Sequence, residues 1–202
     1  MPTVPFVLAS ASPARLRTLR TAGLDPLVIV SDVDEPALLA QRGVSDPTTV
    51  CEVLAQAKAD DVARRPEVPA GALVLGCDSV LELDGVAHGK PTDAADAVAR
   101  WRAMRGRSGV LRTGHRLARD GEVADGRSDT VVHFADVTDA EIDAYVATGE
   151  PLHVAGAFTL EGLGAGFVTG VEGDPHGVVG VSVPLLRMLA AHLGIPWPDL
   201  WA

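Results

Sequence analysis

An apolar run, Val4 to Ala9, gives way within six residues, Ser10-Ala11-Ser12-Pro13-Ala14-Arg15, to a helical pattern marked by Leu16, Leu19 and Leu24. That junction ties the chain to layers of strands and helices. The turn has the makings of an anion cradle. Ser12 is placed to cap the helix, Pro13 fills the first helical position where no amide donor is needed, and the free N–H groups of the first turn point outward with the positive end of the helix dipole. Arg15, Arg17 and Arg20 add fixed positive charge, and a guanidinium fork suits phosphate oxygens better than an ammonium. An ordinary capped helix has the same Ser-Pro start, so the phosphate reading depends on residues farther along the chain.

Gly23 ends this helix and Pro26 to Val30 is a second apolar run, giving strand, helix, strand. Thr48 to Arg64 carries Val50, Val53, Leu54, Ala57 and Val62 at mostly helical spacing, which predicts a long helix bearing Lys58. Leu73 to Leu75 is a strand ending at Gly76. Val80 to Leu83, the turn Asp84-Gly85 and Val86 to His88 form a hairpin, so Asp78 is expected at a strand end or in the bend just beyond it. Thr92 to Met104 is a helix, Val110 to Arg119 and Val123 to Ala135 are strands joined by Asp120-Gly121, and Asp139 to Thr148 is a short helix. Gly156 to Gly177 is turn-rich, and Val181 to Leu193 is an amphipathic helix closed by Gly194. Two hairpins interrupt the alternation, which points to an α/β fold with a twisted mixed sheet flanked by helices. Nothing like a linker divides the 202 residues, so a single domain over 1–202, with two lobes, is expected.

A formal net charge of −10 argues against nucleic-acid or anionic-membrane partners, which need a positive field. A polyphosphate would then need a local basic pocket, and with only two lysines, Lys58 and Lys90, among seventeen basic residues, each stands out. Cys51 and Cys77 form no CxxC pattern and suggest a reduced, cytoplasmic protein. No apolar run reaches the roughly 18 residues of a membrane span. A P-loop and a dinucleotide fingerprint fail on spacing, the six histidines form no HExxH pair, and Ser10 and Ser12 lack a nucleophile elbow.

Further along lie Val33-Asp34-Glu35, Ala57-Lys58-Ala59, Gly76-Cys77-Asp78-Ser79, Gly89-Lys90-Pro91, Thr113-Gly114, Glu161-Gly162 and Gly173 through Pro184. In this order, with the Ser-x-Ser-Pro turn, the chain resembles the Maf family of nucleoside triphosphate pyrophosphatases, also described as septum-formation inhibitors. The resemblance implies a cleft between two lobes and hydrolysis of nucleoside triphosphates, non-standard or modified ones included, to a monophosphate and pyrophosphate. It also implies a divalent metal, Mg²⁺ or Mn²⁺, a cytoplasmic location, a homodimer and a link to arrest of cell division.

Such hydrolysis needs neutralised phosphates and a base that orients water. Asp78 matches the family's proton acceptor and is the candidate catalytic base, where by itself a turn-capping aspartate is an equal reading. Glu35, with Asp78, is the candidate metal carboxylate, while Asp32 and Asp34 suit a solvated acidic loop. Ser10, Ser12, Arg15, Lys58 and Lys90 are expected at the phosphates, and Ser79 and Glu161 at the base. Here the chain departs from the family's two patterns. Ala14 stands where an arginine or a tryptophan is usual. Ser79 resembles the threonine of the thymidine- and uridine-directed members. Glu161 matches the glutamate of the 7-methylguanosine-directed ones and suits a base edge that donates hydrogen bonds. The pattern is mixed, and the missing arginine at Ala14 leaves a nucleotide-binding regulator of cell division, without turnover, as the alternative.

Overall fold

In the computed structural model, which describes residues 4–202, β1 (Phe6–Leu8) leads into α1 (Pro13–Thr21) and β2 (Leu27–Val28) pairs parallel to β1. Ser12 caps α1 by accepting from the Arg15 N–H at 3.4 Å, and Pro13 opens it. Where the acidic stretch suggests only a loop, there is a helix, α2 (Glu35–Arg42). Asp34 caps it by accepting from the Ala37 N–H at 3.0 Å, and Gly43 ends it at φ 62°. None of its residues is buried, so no apolar stripe announces it.

The chain continues through α3 (Pro47–Ala63), β3 (Leu73–Leu83), β4 (Val86–His88), α4 (Ala94–Met104), β5 (Ser108–Arg119), β6 (Glu122–Phe134) and α5 (Asp139–Ala147). The turn-rich segment contains short 3₁₀ turns and one further strand, β7 (Val168–Glu172), before α6 (Pro175–Val179) and α7 (Val183–His192). β7 has no fully buried residue, and so no strong alternation marks it in the sequence.

All seven strands form one mixed sheet in the order β2-β1-β3-β5-β6-β7, with β4 also on β3. β1 is parallel to β2 and β3; the remaining pairs are antiparallel. One edge of β3 is paired with β5 from Val74 to Glu82. Its other edge is shared: β1 covers Leu73 to Leu75 and β4 covers Leu81 to Leu83. Between those two stretches no strand of the described residues lies beside it. Asp78 therefore sits in the middle of a continuous 11-residue strand rather than at a strand end or bend, and it is β3's neighbours that stop. The parallel register carries the chain leaving β1 toward this gap, and the antiparallel register does the same for the chain leaving β4. Hence the Ser10–Arg15 turn and Gly89-Lys90-Pro91 enter from opposite ends.

Alternation along β3 separates the layers. Val74 and Val80 face α3, and this helix spans both halves of the sheet. The opposite face carries two apolar clusters. One joins Leu75 and Cys77 to Leu19 of α1, Leu24 just beyond it, and Leu186 and Leu189 of α7. The other joins Leu81 and Leu111 to Trp101, Phe134, Ile142 and Tyr145 around α4 and α5. Trp101 is fully buried, donates from Nε1 to the Ala157 carbonyl at 2.7 Å and meets Phe134, Tyr145 and Phe167 edge-on. Between the two clusters the same face turns polar at Ser79, Thr113 and Thr130, the two threonines being wholly buried. Two cores with a polar seam between them give the expected two lobes their physical content.

Candidate functional site

Two glycines press α3 onto the sheet beside Asp78. A Cβ on Gly76 would stand 2.2 Å from the Ala55 carbonyl oxygen, and one on Gly114, the register partner of Asp78, 2.4 Å from that of Cys51. Only the bare backbone permits this approach. It brings Lys58 of α3 to Asp78, with Nζ donating to Oδ1 at 2.6 Å. The same ammonium lies 2.7 Å from Oε1 of Glu35, the first residue of α2. Asp78 is 8 % exposed, and burial raises its carboxyl above the ordinary value of 3.8 against the opposing pull of Lys58 and Arg15. A buried carboxyl with raised proton affinity, beside cations and in a gap of the sheet, is equipped to take a proton. Burial also pushes the neighbouring Cys77 thiol up to about 12, which removes it as a nucleophile at neutral pH.

On the opposite face of β3 the guanidinium of Arg15, 9 % exposed, is held at three points. Nε donates to the Gly180 carbonyl at 2.8 Å, Nη1 to Ser10 Oγ at 3.0 Å and Nη2 to Ser79 Oγ at 3.0 Å. Ser10 Oγ also accepts from the Ser12 N–H at 3.2 Å. Both its lone pairs are thereby engaged, and its own O–H is left to donate into the turn. Ser79 Oγ lies 2.8 Å from Thr113 Oγ1, which donates to the Gly177 carbonyl at 2.8 Å. Behind Thr113, buried His115 accepts the Ser182 N–H on Nε2 at 2.9 Å and turns Nδ1 to the Thr113 carbonyl at 3.0 Å. Its ring is thus neutral with the proton on Nδ1, and burial and Arg15 lower its pKa to about 4.

The structure joins Glu35, Lys58 and Asp78 in direct contact, and Ser10, Ser12, Arg15 and Ser79 in a second group on the other side of the strand. Lys90 is exposed; the backbone around it is anchored by Arg100, whose guanidinium donates to the Gly89 carbonyl at 2.6 Å. Glu161 is exposed and makes an ion pair with Arg17 of α1 at 3.2 Å, outside both groups. Its loop is fixed by Glu150, whose carboxylate accepts the Leu163 and Gly164 N–H groups, each at 3.0 Å. Asp32 pairs with Arg65 at 2.8 Å and has a surface role. Thr113, Gly177 and Gly180 lie in stretches that carry the family resemblance, but sequence reasoning gives neither them nor His115 a place in the site. For His115 the apolar register of β5, which buries alternate residues, is the available signal.

No group of three or more His, Cys, Asp or Glu side chains among the described residues is arranged to hold a metal ion. Glu35 and Asp78 nevertheless share one cation, the Lys58 ammonium, and two carboxylates completed by substrate oxygens are a donor set that Mg²⁺ accepts. The residues present fit such an ion.

Comparison with known proteins finds relatives over nearly the whole chain. A protein of Streptomyces coelicolor named nucleoside triphosphate pyrophosphatase is 56% identical over 98% of this chain and 94% of its own length. One of Salinispora tropica with the same name is 54% identical over 98% of this chain and 87% of its own. The solved structure of the Staphylococcus aureus Ham1 protein aligns with 94% of this chain and 99% of its own at 15% identity and a TM-score of 0.47. The profile of the family described as Maf-like protein matches residues 5–193, and the chain belongs to that family.

Proposed function

We propose that this protein hydrolyses nucleoside triphosphates to the nucleoside monophosphate and pyrophosphate, with water attacking the α-phosphorus and Asp78 accepting its proton. The observation that carries this reading is the gap in the sheet edge. It sets a buried carboxyl of raised proton affinity between two chain exits, one ending in a capped helix N-terminus with Ser10 and Arg15, the other in Lys90. The names of the relatives support the same reaction.

In this reading the triphosphate lies across the gap. The position of the Ala14 N–H in the first turn leaves it without an intrahelical acceptor, and it meets the phosphates together with the Ser10 O–H and the Arg15 guanidinium. As the bond from the α-phosphorus to the bridging oxygen breaks, pyrophosphate leaves with that oxygen, and Arg15, Lys58 and Lys90 stabilise its charge. Ionised Asp78 takes one proton from the attacking water, whose oxygen stays on the monophosphate. A divalent cation held by Glu35 and Asp78 would neutralise phosphate oxygens as a Lewis acid. Glu161 and Ser79 are assigned to the nucleoside side, and the protein is placed in the cytoplasm as one domain over 1–202, working as a homodimer. No helix of the described residues is long and apolar enough to cross a membrane.

The test is a panel of standard and modified triphosphates incubated with the purified protein and Mg²⁺ or Mn²⁺. Pyrophosphate from at least one member, stopped by a chelator and restored by metal, is the expected result. Inorganic phosphate as the first product, or tight binding with no turnover across the panel, contradicts the reading.

A further inference from the structure

Thr113 lies behind the site and touches neither face of the gap, yet the hydrogen bonds that Arg15 makes to Ser79 and Gly180 both trace back to the turn that Thr113 holds. A threonine hydroxyl has one proton, and a carbonyl oxygen only accepts. Since Thr113 Oγ1 donates to the Gly177 carbonyl, it must accept at its 2.8 Å contact with Ser79. Ser79 then donates to Thr113 and keeps a lone pair for Arg15 Nη2, 3.0 Å away. The direction of the whole chain of bonds is fixed by one backbone carbonyl.

The chain also closes on itself. The Gly180 N–H donates to the Gly177 carbonyl at 3.1 Å, and the Gly180 carbonyl accepts from Arg15 Nε at 2.8 Å. Gly180 has φ +115°, and a Cβ there would lie 3.0 Å from Arg15 Nε. At Gly177 a Cβ would lie 2.3 Å from Ser128 Oγ. Both glycines are thus closely packed, with no room for a side chain. The ring runs Arg15, Ser79, Thr113, Gly177, Gly180 and back to Arg15, crossing the polar seam between the two apolar clusters.

We infer that Thr113 is a positioning residue: through Ser79 it fixes the plane of the Arg15 guanidinium, so that the two N–H groups left after the bonds to Gly180, Ser79 and Ser10 are aimed at phosphate oxygens. In consequence the Ser79 hydroxyl has no proton left for a ligand, and on the nucleoside side it can act only as an acceptor. This rests on the reading that Arg15 meets the phosphates. A guanidinium free to rotate would keep its charge and lose its fork geometry, so the expected loss is in anion affinity rather than in the chemical step.

The experiment is calorimetric titration of inorganic tripolyphosphate into the full chain, followed by steady-state hydrolysis of whichever triphosphate the wild type accepts. Thr113→Val and Ser79→Ala are each expected to weaken tripolyphosphate about tenfold, the factor that 1.4 kcal/mol represents. They should raise KM by a similar factor and leave kcat within about threefold, as for lost uniform binding. Thr113→Ser restores the hydroxyl and should restore affinity. Added to Arg15→Ala, Thr113→Val should cost nothing further, because it acts only through that guanidinium. Ser79→Ala leaves the Thr113 bond to Gly177 intact, and keeps the test open if Thr113→Val fails to fold. Wild-type affinity in Ser79→Ala, a full additive loss in the double variant or no rescue by serine overturns the inference. So does a wild-type chain that binds no tripolyphosphate. Binding without hydrolysis of any triphosphate would instead count against the pyrophosphatase reading alone.

Discussion

Two ionic clusters lie on the α3 face of the sheet, two rungs apart, and they are built on opposite principles. Arg116, the register partner of Gly76, makes four hydrogen bonds to the half-exposed carboxylates of Asp60 and Asp125, at 2.7 to 2.9 Å. Its proton affinity is raised, chiefly by the bond to Asp125, and although its own side chain is only 15 % exposed, both carboxylates around it are open to solvent at 38 and 39 %. Asp78 and Lys58 are each only 11 % exposed at the side chain, and burial outweighs attraction, raising the carboxyl instead of lowering it. A cation bonded by two half-exposed carboxylates holds a sheet and a helix together; a buried, under-compensated carboxyl binds its proton more tightly than a free one. The difference separates a structural cluster from a reactive one, although the residue types are alike.

The sharpest way to break this contrast is to neutralise each cluster in turn. Asp78→Asn should lower kcat about 10³-fold, within the range for removal of a general base. Arg116→Gln should leave kcat within about twofold, since nothing ties it to the reacting atoms. Equal losses in pyrophosphate release for both would erase the distinction. Next in size, Lys58→Met should reduce activity and also move the acid limb of the rate profile. The base works only when ionised, so activity falls as pH drops through its pKa, which burial holds above 3.8. Lys58 pulls that pKa down, and its removal must push the limb to higher pH. A limb that stays put or moves to lower pH would show that another group sets it.

Gly76→Ala tests the packing that creates the buried pair. The added methyl meets the Ala55 carbonyl, and the expected loss is about 3 kcal/mol of stability from overpacking, read as a lower denaturation midpoint. His115 gives a smaller effect that depends on pH. Its pKa is about 4 folded against 6.5 for the free side chain, so the unfolded chain takes up the proton first as pH falls. The stabilisation is complete above 6.5 and declines toward 4, amounting to a loss of about 2 kcal/mol by pH 5. Denaturant titrations of wild type and His115→Gln should converge over that interval; parallel curves would mean that the ring is not held neutral. Least of all, Asp60→Asn should cost less than about 1 kcal/mol, as half-exposed partners usually do.

The order of most strands and helices from Val4 to Met104 is legible in the sequence because apolar periodicity, capping residues and Asp-Gly turns all act locally. α2 is not, because its stability comes from its caps and no residue of it is buried. The place of Asp78 is misread for a different reason. Gly76 looks like a strand terminator in sequence, whereas its missing side chain serves the approach of α3, a contact with residues 17 to 21 positions earlier. The acids and bases of the site are visible as types in a familiar order. What the sequence does not display is which side of β3 each occupies, or that Arg15 is gripped by a carbonyl 165 residues away. Those features arise from register and from tight contacts between distant segments.

The central claim is that the scissile bond lies at the gap in the edge of β3. The direct test is a crystal structure of Asp78→Asn bound to a triphosphate with a methylene bridge between the α and β phosphorus atoms. The expected result is the α-phosphorus beside residue 78, with the outer phosphates over the Ser10–Arg15 turn and toward Lys90. A nucleotide bound with its phosphates away from that gap would contradict it.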